Sequence, residues 1–145
     1  MQDFPHTYTV TAAGAVDGDV MLEGAALPTI VSAPPTQFGG PGDRWSPETL
    51  LVAAVADCLI LSFRAVAKAT KLPWDSLECT VSGTLDRVEK VTQFTAFTVR
   101  AALRVPAGSD QVKARQALER AEHICLITNS LKGTAHLEAT VEVSA

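Results

Sequence analysis

The stretch SPETLLVAAVADCLILSFRAVA, residues 46–67, decides the fold. Ser46 can cap a helix through its side-chain oxygen. Pro47 suits the first helical turn, because its missing N–H would be unpaired there, and the glutamate after it complements the positive end of the helix dipole. Apolar residues then lie on almost every side until shortly before Pro73. We therefore predict a long, buried central helix that ends near Thr70.

The same helix is almost long enough to cross a membrane. Its apolar part, residues 50–67, is slightly short for a hydrocarbon layer of about 30 Å and contains Asp57 and Arg64. A buried helix of a soluble protein is the better interpretation, and we expect no membrane association.

Short strands precede this helix. Residues 6–13 (HTYTVTAA) alternate bulky and polar side chains, which is typical of a strand. A turn at residues 17–19 (DGD) leads to a second strand at residues 20–23, and residues 29–32 are a candidate third strand. The loop that follows, residues 33–43 (APPTQFGGPGD), is too rich in Pro and Gly to continue any regular element.

Two long strands, a second helix and a final strand follow the central helix. We predict them at residues 74–87, 91–106, 110–125 and 134–143, with a hairpin connection at residues 87–91 and Ser109 as the cap of the second helix. The order βββ–α–ββ–α–β indicates an α+β fold, in which two main helices pack against antiparallel sheets. At 145 residues the chain is expected to form a single domain, residues 1–145.

Composition argues against several classes of function. The net charge is −4 without a run of like charges, so we expect no nucleic-acid binding, which needs a basic surface. No amino-terminal segment combines basic residues, an apolar run and a small-residue cleavage site, and we therefore expect a cytoplasmic protein. Three cysteines without CxxC spacing predict neither a disulfide framework nor a zinc knuckle. We expect no cofactor and no resident metal.

Cys58 and Cys125 form a candidate redox pair, because each lies on a predicted helix and most of the domain separates them in sequence. Free cysteine more often behaves as a small buried hydrophobe. Cys79 fits that interpretation, since it alternates inward between Leu77 and Val81 on a strand, and we assign it no function.

Cys58 faces a mainly apolar wall, and such surroundings raise the pKa of a thiol. Asp57 beside it acts in the same direction, although adjacent helical residues point about 100° apart. A reactive Cys58 therefore requires an arginine or lysine from outside its own helical turn.

His123, close to Cys125 in sequence, is a candidate base, but histidine also suits the C-terminus of a helix for its charge alone. A zinc site made of Cys58, Cys125 and His123 lacks the usual local spacing and a fourth ligand.

Two motifs resemble the OsmC/Ohr family of thiol peroxidases. Residues 34–58, PPTQFGGPGDRWSPETLLVAAVADC, match a Gly-rich loop that leads into a helix start of the type NPE-x-L, with Cys58 ten residues after Glu48. Residues 123–131, HICLITNSL, match the second family cysteine and the asparagine that follows it, here Cys125 and Asn129. The resemblance covers nearly the whole chain.

The resemblance implies a two-cysteine peroxidase. Cys58 would attack a hydroperoxide and become a sulfenic acid, Cys125 would form a disulfide with it, and an external lipoyl-type dithiol would reduce that disulfide. It also implies an intertwined homodimer with active sites at the interface. Because Glu48 and Cys58 lie about 15 Å apart along a straight helix, any help that Glu48 gives to a cysteine would come from a partner chain.

One position departs from the family. Members that act on organic hydroperoxides carry an arginine in an early GGRDG turn, and the matching residues 14–18 (GAVDG) have Val16 in its place. Arg44 is the candidate substitute, because it borders the same helix start as Glu48; a solvent-facing loop arginine is an equal alternative. The leading hypothesis is thus a hydroperoxide reductase whose site contains Cys58, Cys125, Glu48 and Arg44.

Two further hypotheses stay open at this point. One is a non-catalytic redox sensor or small-ligand binder of the same fold, in which the cysteines oxidise too slowly to turn over. The other is a purely structural dimer with inert cysteines.

Overall fold

Six strands and two α-helices follow one another in the predicted order βββ–α–ββ–α–β. The computed structural model describes residues 1–145. The chain forms two units, Met1–Leu51 and Val52–Ala145. The predicted α+β fold class with two main helices is confirmed.

The first unit contains an antiparallel sheet of three short strands. These are β1 (Thr11–Ala13), β2 (Val20–Glu23) and β3 (Ile30–Ser32), in the order β1-β2-β3. β1 is shorter than the predicted strand at residues 6–13, because its pairing with β2 begins at Thr11 opposite Glu23, where β2 ends.

The Gly-rich loop after β3 has no long element, as predicted, and contains a single turn of 3₁₀ helix at Thr36–Phe38. Gly40 is required there, because a Cβ atom at this position would overlap the carbonyl oxygen of Pro34. The Ala33 N–H donates to the Trp45 carbonyl oxygen at 2.9 Å, so the two ends of the loop are joined just before the long helix starts.

The long helix α1 spans Pro47–Thr70, within the predicted bounds. Ser46 caps it as expected: the Thr49 N–H donates to Ser46 Oγ at 3.1 Å, and the Ser46 N–H donates to Thr49 Oγ1 at 2.9 Å. Burial is confined to one face of the helix, and Leu61 on another face is 51% exposed. The single chain therefore buries one stripe of α1 rather than its whole circumference, at Val55, Leu59, Phe63, Val66 and Ala67.

By length and composition alone α1 could cross a membrane. That observation is weak, because the core helix of a soluble protein passes the same test. The buried stripe of α1 and the edge-to-face contact of Phe63 with Trp74, with ring centroids 5.2 Å apart, are features of a core helix.

The second unit contains a mixed sheet of three longer strands in the order β4-β5-β6. β4 (Ser76–Val88) and β5 (Val91–Val105) form the predicted antiparallel hairpin, and both turn residues, Glu89 and Lys90, have positive φ angles. β6 (Thr134–Val143) pairs with β5 in parallel, which corrects the expectation of antiparallel sheets. The connection explains this direction. A helix lies between β5 and β6 and returns the chain to the end of the sheet where β5 begins, so the two strands run the same way.

The core of this unit lies on one face of β5, the central strand of the sheet β4-β5-β6. Alternate residues of β5 are buried, namely Phe97, Val99, Ala101, Leu103 and Val105. α1 passes close to β4 at Gly83, where an added Cβ atom would lie 2.9 Å from Val52 Cγ2.

The second helix, α2, spans Gln111–Ile124 and buries four residues, Ala114, Ala117, Leu118 and Ala121. Its N-cap is Asp110, not the predicted Ser109. The Asp110 Oδ1 atom accepts hydrogen bonds from the N–H groups of Val112 at 3.0 Å and Lys113 at 3.2 Å. An aspartate one residue nearer to the helix reaches two N–H groups that would otherwise be unpaired.

Replacement of Asp110 by Ala should therefore lower the free energy of unfolding by about 1 kcal/mol, because two helical N–H groups lose their acceptor. Ser109→Ala is the matched control and should have little effect. Chemical denaturation of both variants measures the difference. Equal losses, or a larger loss for Ser109→Ala, would contradict the assignment of the cap.

Candidate active site

Cys58 lies in the middle of α1 and is partly exposed. One helical turn further on, the Ser62 hydroxyl lies 3.8 Å from the Cys58 sulfur, within hydrogen-bonding distance for sulfur. Asp57 is exposed to solvent, consistent with adjacent helical residues pointing in different directions. The Cys58 sulfur is thus accessible from one side and has a hydroxyl donor on its own helix.

Cys125 ends α2 as its C-cap residue and is only 1% exposed. Its carbonyl oxygen accepts hydrogen bonds from the Asn129 N–H at 3.0 Å and from Thr128 Oγ1 at 3.2 Å. The chain reverses there through the segment of residues 125–129, here called the 125–129 turn. This turn places Cys125 beside the long helix.

The pKa of the Cys58 thiol is lowered, and the Cys125 thiol contributes to this shift. Burial alone would raise the pKa of this thiol, but hydrogen bonds outweigh that effect. In decreasing order they come from Cys125, the backbone of Ile127, the hydroxyl of Ser62 and the backbone of Leu126. Within the single chain, hydrogen bonds therefore account for the lowered pKa of Cys58.

The pKa of Cys125 is shifted in the opposite direction. Burial raises the pKa of this thiol, and the neighbouring Cys58 raises it further, which outweighs the hydrogen bonds from the backbone and hydroxyl of Thr128. When one of two adjacent thiols ionises, the other is held in its protonated form. Cys58 is thus the favoured thiolate and Cys125 the favoured thiol.

Cys79 behaves as the inert cysteine that its strand position predicted. Burial, together with the charge of Cys125, raises the pKa of Cys79 to about 11. At pH 7 only about one molecule in ten thousand would carry this residue as a thiolate. The structure therefore separates Cys79 chemically from Cys58.

Several groups that surround the sulfurs were missed in the sequence. The hydroxyls of Ser62 and Thr128 carry no motif, and the backbone N–H groups of Leu126 and Ile127 have no signature in side-chain chemistry. Only the spacing of Cys125 and Asn129 in the family motif pointed to this turn.

Glu48 and Arg44 both lie in the first unit. Glu48 Oε2 is buried without a hydrogen-bond partner. The Arg44 side chain forms ion pairs with Asp19 Oδ2 at 3.4 Å and Asp43 Oδ2 at 3.3 Å. Val16, at the position of the family arginine, is fully exposed in the connection between β1 and β2. Glu48 therefore lacks a partner, whereas Arg44 already has two.

A cavity of about 430 Å³ adjoins Glu48 in the same unit. Its walls are almost entirely apolar and come from β1, β2, the Gly-rich loop and the start of α1: Ala12, Val20, Leu22, Ala33, Pro34, Pro35, Phe38, Pro47 and Leu50. This volume is in the range of small-molecule pockets. The cavity can receive an apolar group next to one unpartnered carboxylate oxygen.

His123 is exposed in the last turn of α2, and its carbonyl oxygen accepts a hydrogen bond from Asn129 Nδ2 at 3.1 Å. No group of three His, Cys, Asp or Glu side chains comes together in a way that could hold a metal ion.

Thiol alkylation should follow the order of these pKa values. Near neutral pH, iodoacetamide should modify Cys58 first, because its pKa is lowered and its sulfur is partly exposed. Cys79 should react much more slowly than Cys58, because its pKa is raised to about 11. Mass spectrometry of peptides at increasing reaction times measures the order, and the Cys79→Ser variant should leave the rate at Cys58 unchanged. Equal rates at Cys58 and Cys79 would contradict the assignment.

Comparison with known proteins shows which family this chain resembles. The family model described as OsmC-like protein matches residues 40–140. The uncharacterized protein YmaD of Bacillus subtilis is 26% identical over 125 residues, which are 84% of this chain and 83% of YmaD.

Solved structures share the fold over nearly the whole chain. An OsmC-like protein of unknown function from Vibrio cholerae has a TM-score of 0.86 at 16% identity and covers 94% of this chain and 100% of its own. The organic hydroperoxide resistance protein OsmC of Legionella pneumophila, also described as a predicted redox protein, has a TM-score of 0.75 at 25% identity. The match covers 97% of this chain and 100% of the Legionella protein. The family model matches most of the length of this chain, and the chain therefore belongs to the OsmC-like family.

Proposed function

We propose that the protein is a cysteine-based peroxidase that reduces organic hydroperoxides through a Cys58 sulfenic acid and a Cys58–Cys125 disulfide. One observation carries this proposal: two adjacent thiols whose pKa values are shifted in opposite directions, down at Cys58 and up at Cys125. A two-cysteine peroxidase needs one thiolate to attack the peroxide and a second cysteine near it that can condense with the sulfenic acid.

In the first step the Cys58 thiolate attacks one oxygen of the hydroperoxide. The sulfur–oxygen bond forms as the oxygen–oxygen bond breaks, and the departing alkoxide takes up a proton to give the alcohol. Cys58 is oxidised to a sulfenic acid and the hydroperoxide is reduced. The partial exposure of Cys58 allows the substrate to reach the sulfur.

In the second step Cys125 condenses with the sulfenic acid. Its sulfur forms a bond to the Cys58 sulfur, the hydroxyl of the sulfenic acid leaves as water, and a disulfide remains. An external dithiol then reduces this disulfide by thiol–disulfide exchange and is itself oxidised. We propose a lipoyl-type dithiol as the reductant and the cytoplasm, where thiols are kept reduced, as the compartment.

We further propose that Glu48 and Arg44 serve the Cys58 of a second copy in a homodimer. Two observations support this proposal: the buried Glu48 Oε2 atom has no partner in the single chain, and α1 leaves Leu61 exposed on its uncovered face. A buried carboxylate oxygen without a partner is unfavourable, so a second copy that supplies one is favoured. The apolar cavity beside Glu48 would then receive the organic group of the hydroperoxide.

The comparisons support a role in peroxide chemistry. The relatives from Legionella pneumophila and from Elizabethkingia anophelis are both described as organic hydroperoxide resistance proteins, and the latter covers 99% of this chain and 100% of its own at 22% identity with a TM-score of 0.74.

Substitution of each cysteine should separate their roles. With cumene hydroperoxide and dihydrolipoamide, Cys58→Ser should abolish turnover, because the attacking sulfur is removed. Cys125→Ser should stop after one turnover and retain a sulfenic acid on Cys58, which a dimedone probe detects by mass spectrometry. Cys79→Ser is the matched control and should keep wild-type turnover. Turnover by Cys58→Ser would refute the nucleophile.

A sulfenic acid that forms on Cys58 without catalytic turnover in the wild-type protein would favour the redox sensor. No sulfenic acid on Cys58 in the Cys125→Ser variant would favour the ligand binder or the structural dimer.

Heterodimers should reveal whether Glu48 acts across the interface. Cys58→Ser and Glu48→Gln subunits, co-expressed with different tags, form heterodimers that keep one intact site if Glu48 serves the partner's cysteine. Activity should then return to about half that of the wild-type dimer. Arg44→Gln can replace Glu48→Gln in the same test. No recovery above the Glu48→Gln homodimer would contradict action across the interface.

A further inference from the structure

A groove of about 380 Å³, here called the α1–α2 groove, lies between the two helices in the second unit. Its floor is apolar, because Val66 is 4% exposed, Ala117 is 6% exposed, and Leu72 lines the groove beside them. Two exposed cations of α2, Lys113 and Arg120, lie at its rim. The groove thus combines an apolar contact surface with positive charge.

Neither cation at the rim is neutralised within the chain. The ion pairs of the structure involve Arg44, Arg100 and Arg104, and no residue that lines the α1–α2 groove is acidic. Glu119 is next to Arg120 in sequence, but it lines a different groove, between α2 and β6. Because the whole protein has a net charge of −4, these two free positive charges are a local feature that attracts an anion.

The positions of the two cations suit a single ligand. Lys113, Ala117 and Arg120 follow one another at the spacing of neighbours on one side of a helix. An alkyl chain can therefore lie on the floor while a carboxylate accepts charge-assisted hydrogen bonds from both cations. The chemistry of the α1–α2 groove thus fits an amphiphilic carboxylate.

α1 and α2 run in opposite directions along this groove. Near its start α1 lies against Gly83 of β4 through Val52, and further along Phe63 contacts Trp74, just before β4 begins. α1 is therefore antiparallel to β4. β5 is antiparallel to β4 as well, and α2 returns the chain from the end of β5 to the start of the parallel strand β6. α2 thus runs in the direction of β4 and opposite to α1.

The α1–α2 groove and the two cysteines consequently lie along the same pair of helices. Val66 of α1 and Ala117 of α2 both line the groove. Cys58 precedes Val66 by eight residues, and Cys125 follows Ala117 by eight residues. Along antiparallel helices both steps lead the same way, over about 12 Å at the rise of an α-helix. A ligand held in the groove can therefore extend toward the cysteines.

We propose that the α1–α2 groove binds the carboxylate end of an amphiphilic dithiol that reduces the Cys58–Cys125 disulfide. This inference rests on the proposed function, which requires a dithiol reductant. Charge separates the two reactants of the cycle. The unpartnered carboxylate oxygen of Glu48 disfavours a second carboxylate in the cavity beside it, whereas Lys113 and Arg120 attract one.

From the groove, one thiolate of the reductant attacks the Cys58 sulfur, which is more exposed than that of Cys125. A bond to Cys58 forms as the Cys58–Cys125 bond breaks, and Cys125 leaves as a thiolate that takes up a proton. The second thiolate of the reductant then displaces the Cys58 thiolate. The dithiol is thereby oxidised to a cyclic disulfide, and both cysteines are reduced.

Octanoate and octanamide test the binding without any redox chemistry, because they share an alkyl chain, differ in charge and carry no thiol. In ¹H–¹⁵N spectra of the wild-type protein, octanoate should shift the amide signals of Lys113, Gln116 and Arg120. Octanamide should bind about tenfold more weakly. Equal affinity for the two probes, or octanoate shifts confined to residues around Glu48, would overturn the proposal.

Removal of the two rim cations tests where the carboxylate binds. The Lys113→Gln/Arg120→Gln variant should lose the preference for octanoate over octanamide. Lys68→Gln/Arg87→Gln is the matched control and should keep it, because this variant also removes one lysine and one arginine, neither of which lines the groove. An unchanged preference in a folded Lys113→Gln/Arg120→Gln protein would refute the site.

Dihydrolipoate and dihydrolipoamide test whether the groove serves reduction, because they differ only in the carboxylate. With cumene hydroperoxide at low salt, the KM for dihydrolipoate should be about tenfold lower. The difference should shrink as salt screens the two cations, and it should vanish in Lys113→Gln/Arg120→Gln. Turnover with the same KM for both dithiols would overturn the proposal and keep the peroxidase. Binding of octanoate in the groove of a protein without turnover would refute the peroxidase and keep the carboxylate site.

Discussion

A sulfur anion on a half-buried helix needs hydrogen-bond donors in place of the water that it has lost, and this constraint organises the site. At Cys58, burial acts to raise the pKa of the thiol, yet the surrounding donors outweigh burial. Most of these donors come from the segment that ends α2. The pKa of Cys58 therefore depends on the position of the 125–129 turn, which is distant from Cys58 in sequence.

The topology of the second unit determines where the 125–129 turn lies. α2 lies between β5 and β6, and this connection makes the two strands parallel. α2 buries small side chains, Ala114, Ala117 and Ala121, which let it pack closely. Its C-cap is Cys125, so the end of the helix and the second sulfur coincide.

The first unit contributes features that the single chain leaves unused. Glu48 Oε2 is buried without a partner beside an apolar cavity, while Arg44 is paired with Asp19 and Asp43. A carboxylate acceptor next to apolar walls is typical of a binding site that awaits a ligand or a second subunit. The proposed homodimer accounts for Glu48 and for the uncovered face of α1 together.

The sequence by itself determined the order and nearly all the bounds of the elements, because capping residues, prolines and alternation act locally. It also pointed to Cys58 and Cys125 through their spacing in two motifs. Only the tertiary structure showed that β6 pairs with β5 in parallel. Only the tertiary structure also gave the opposite pKa shifts of the two thiols and the part that the backbone of Leu126 and Ile127 has in them. The physical reason is that backbone donors look alike at every residue, so their effect on a sulfur depends on how distant segments meet.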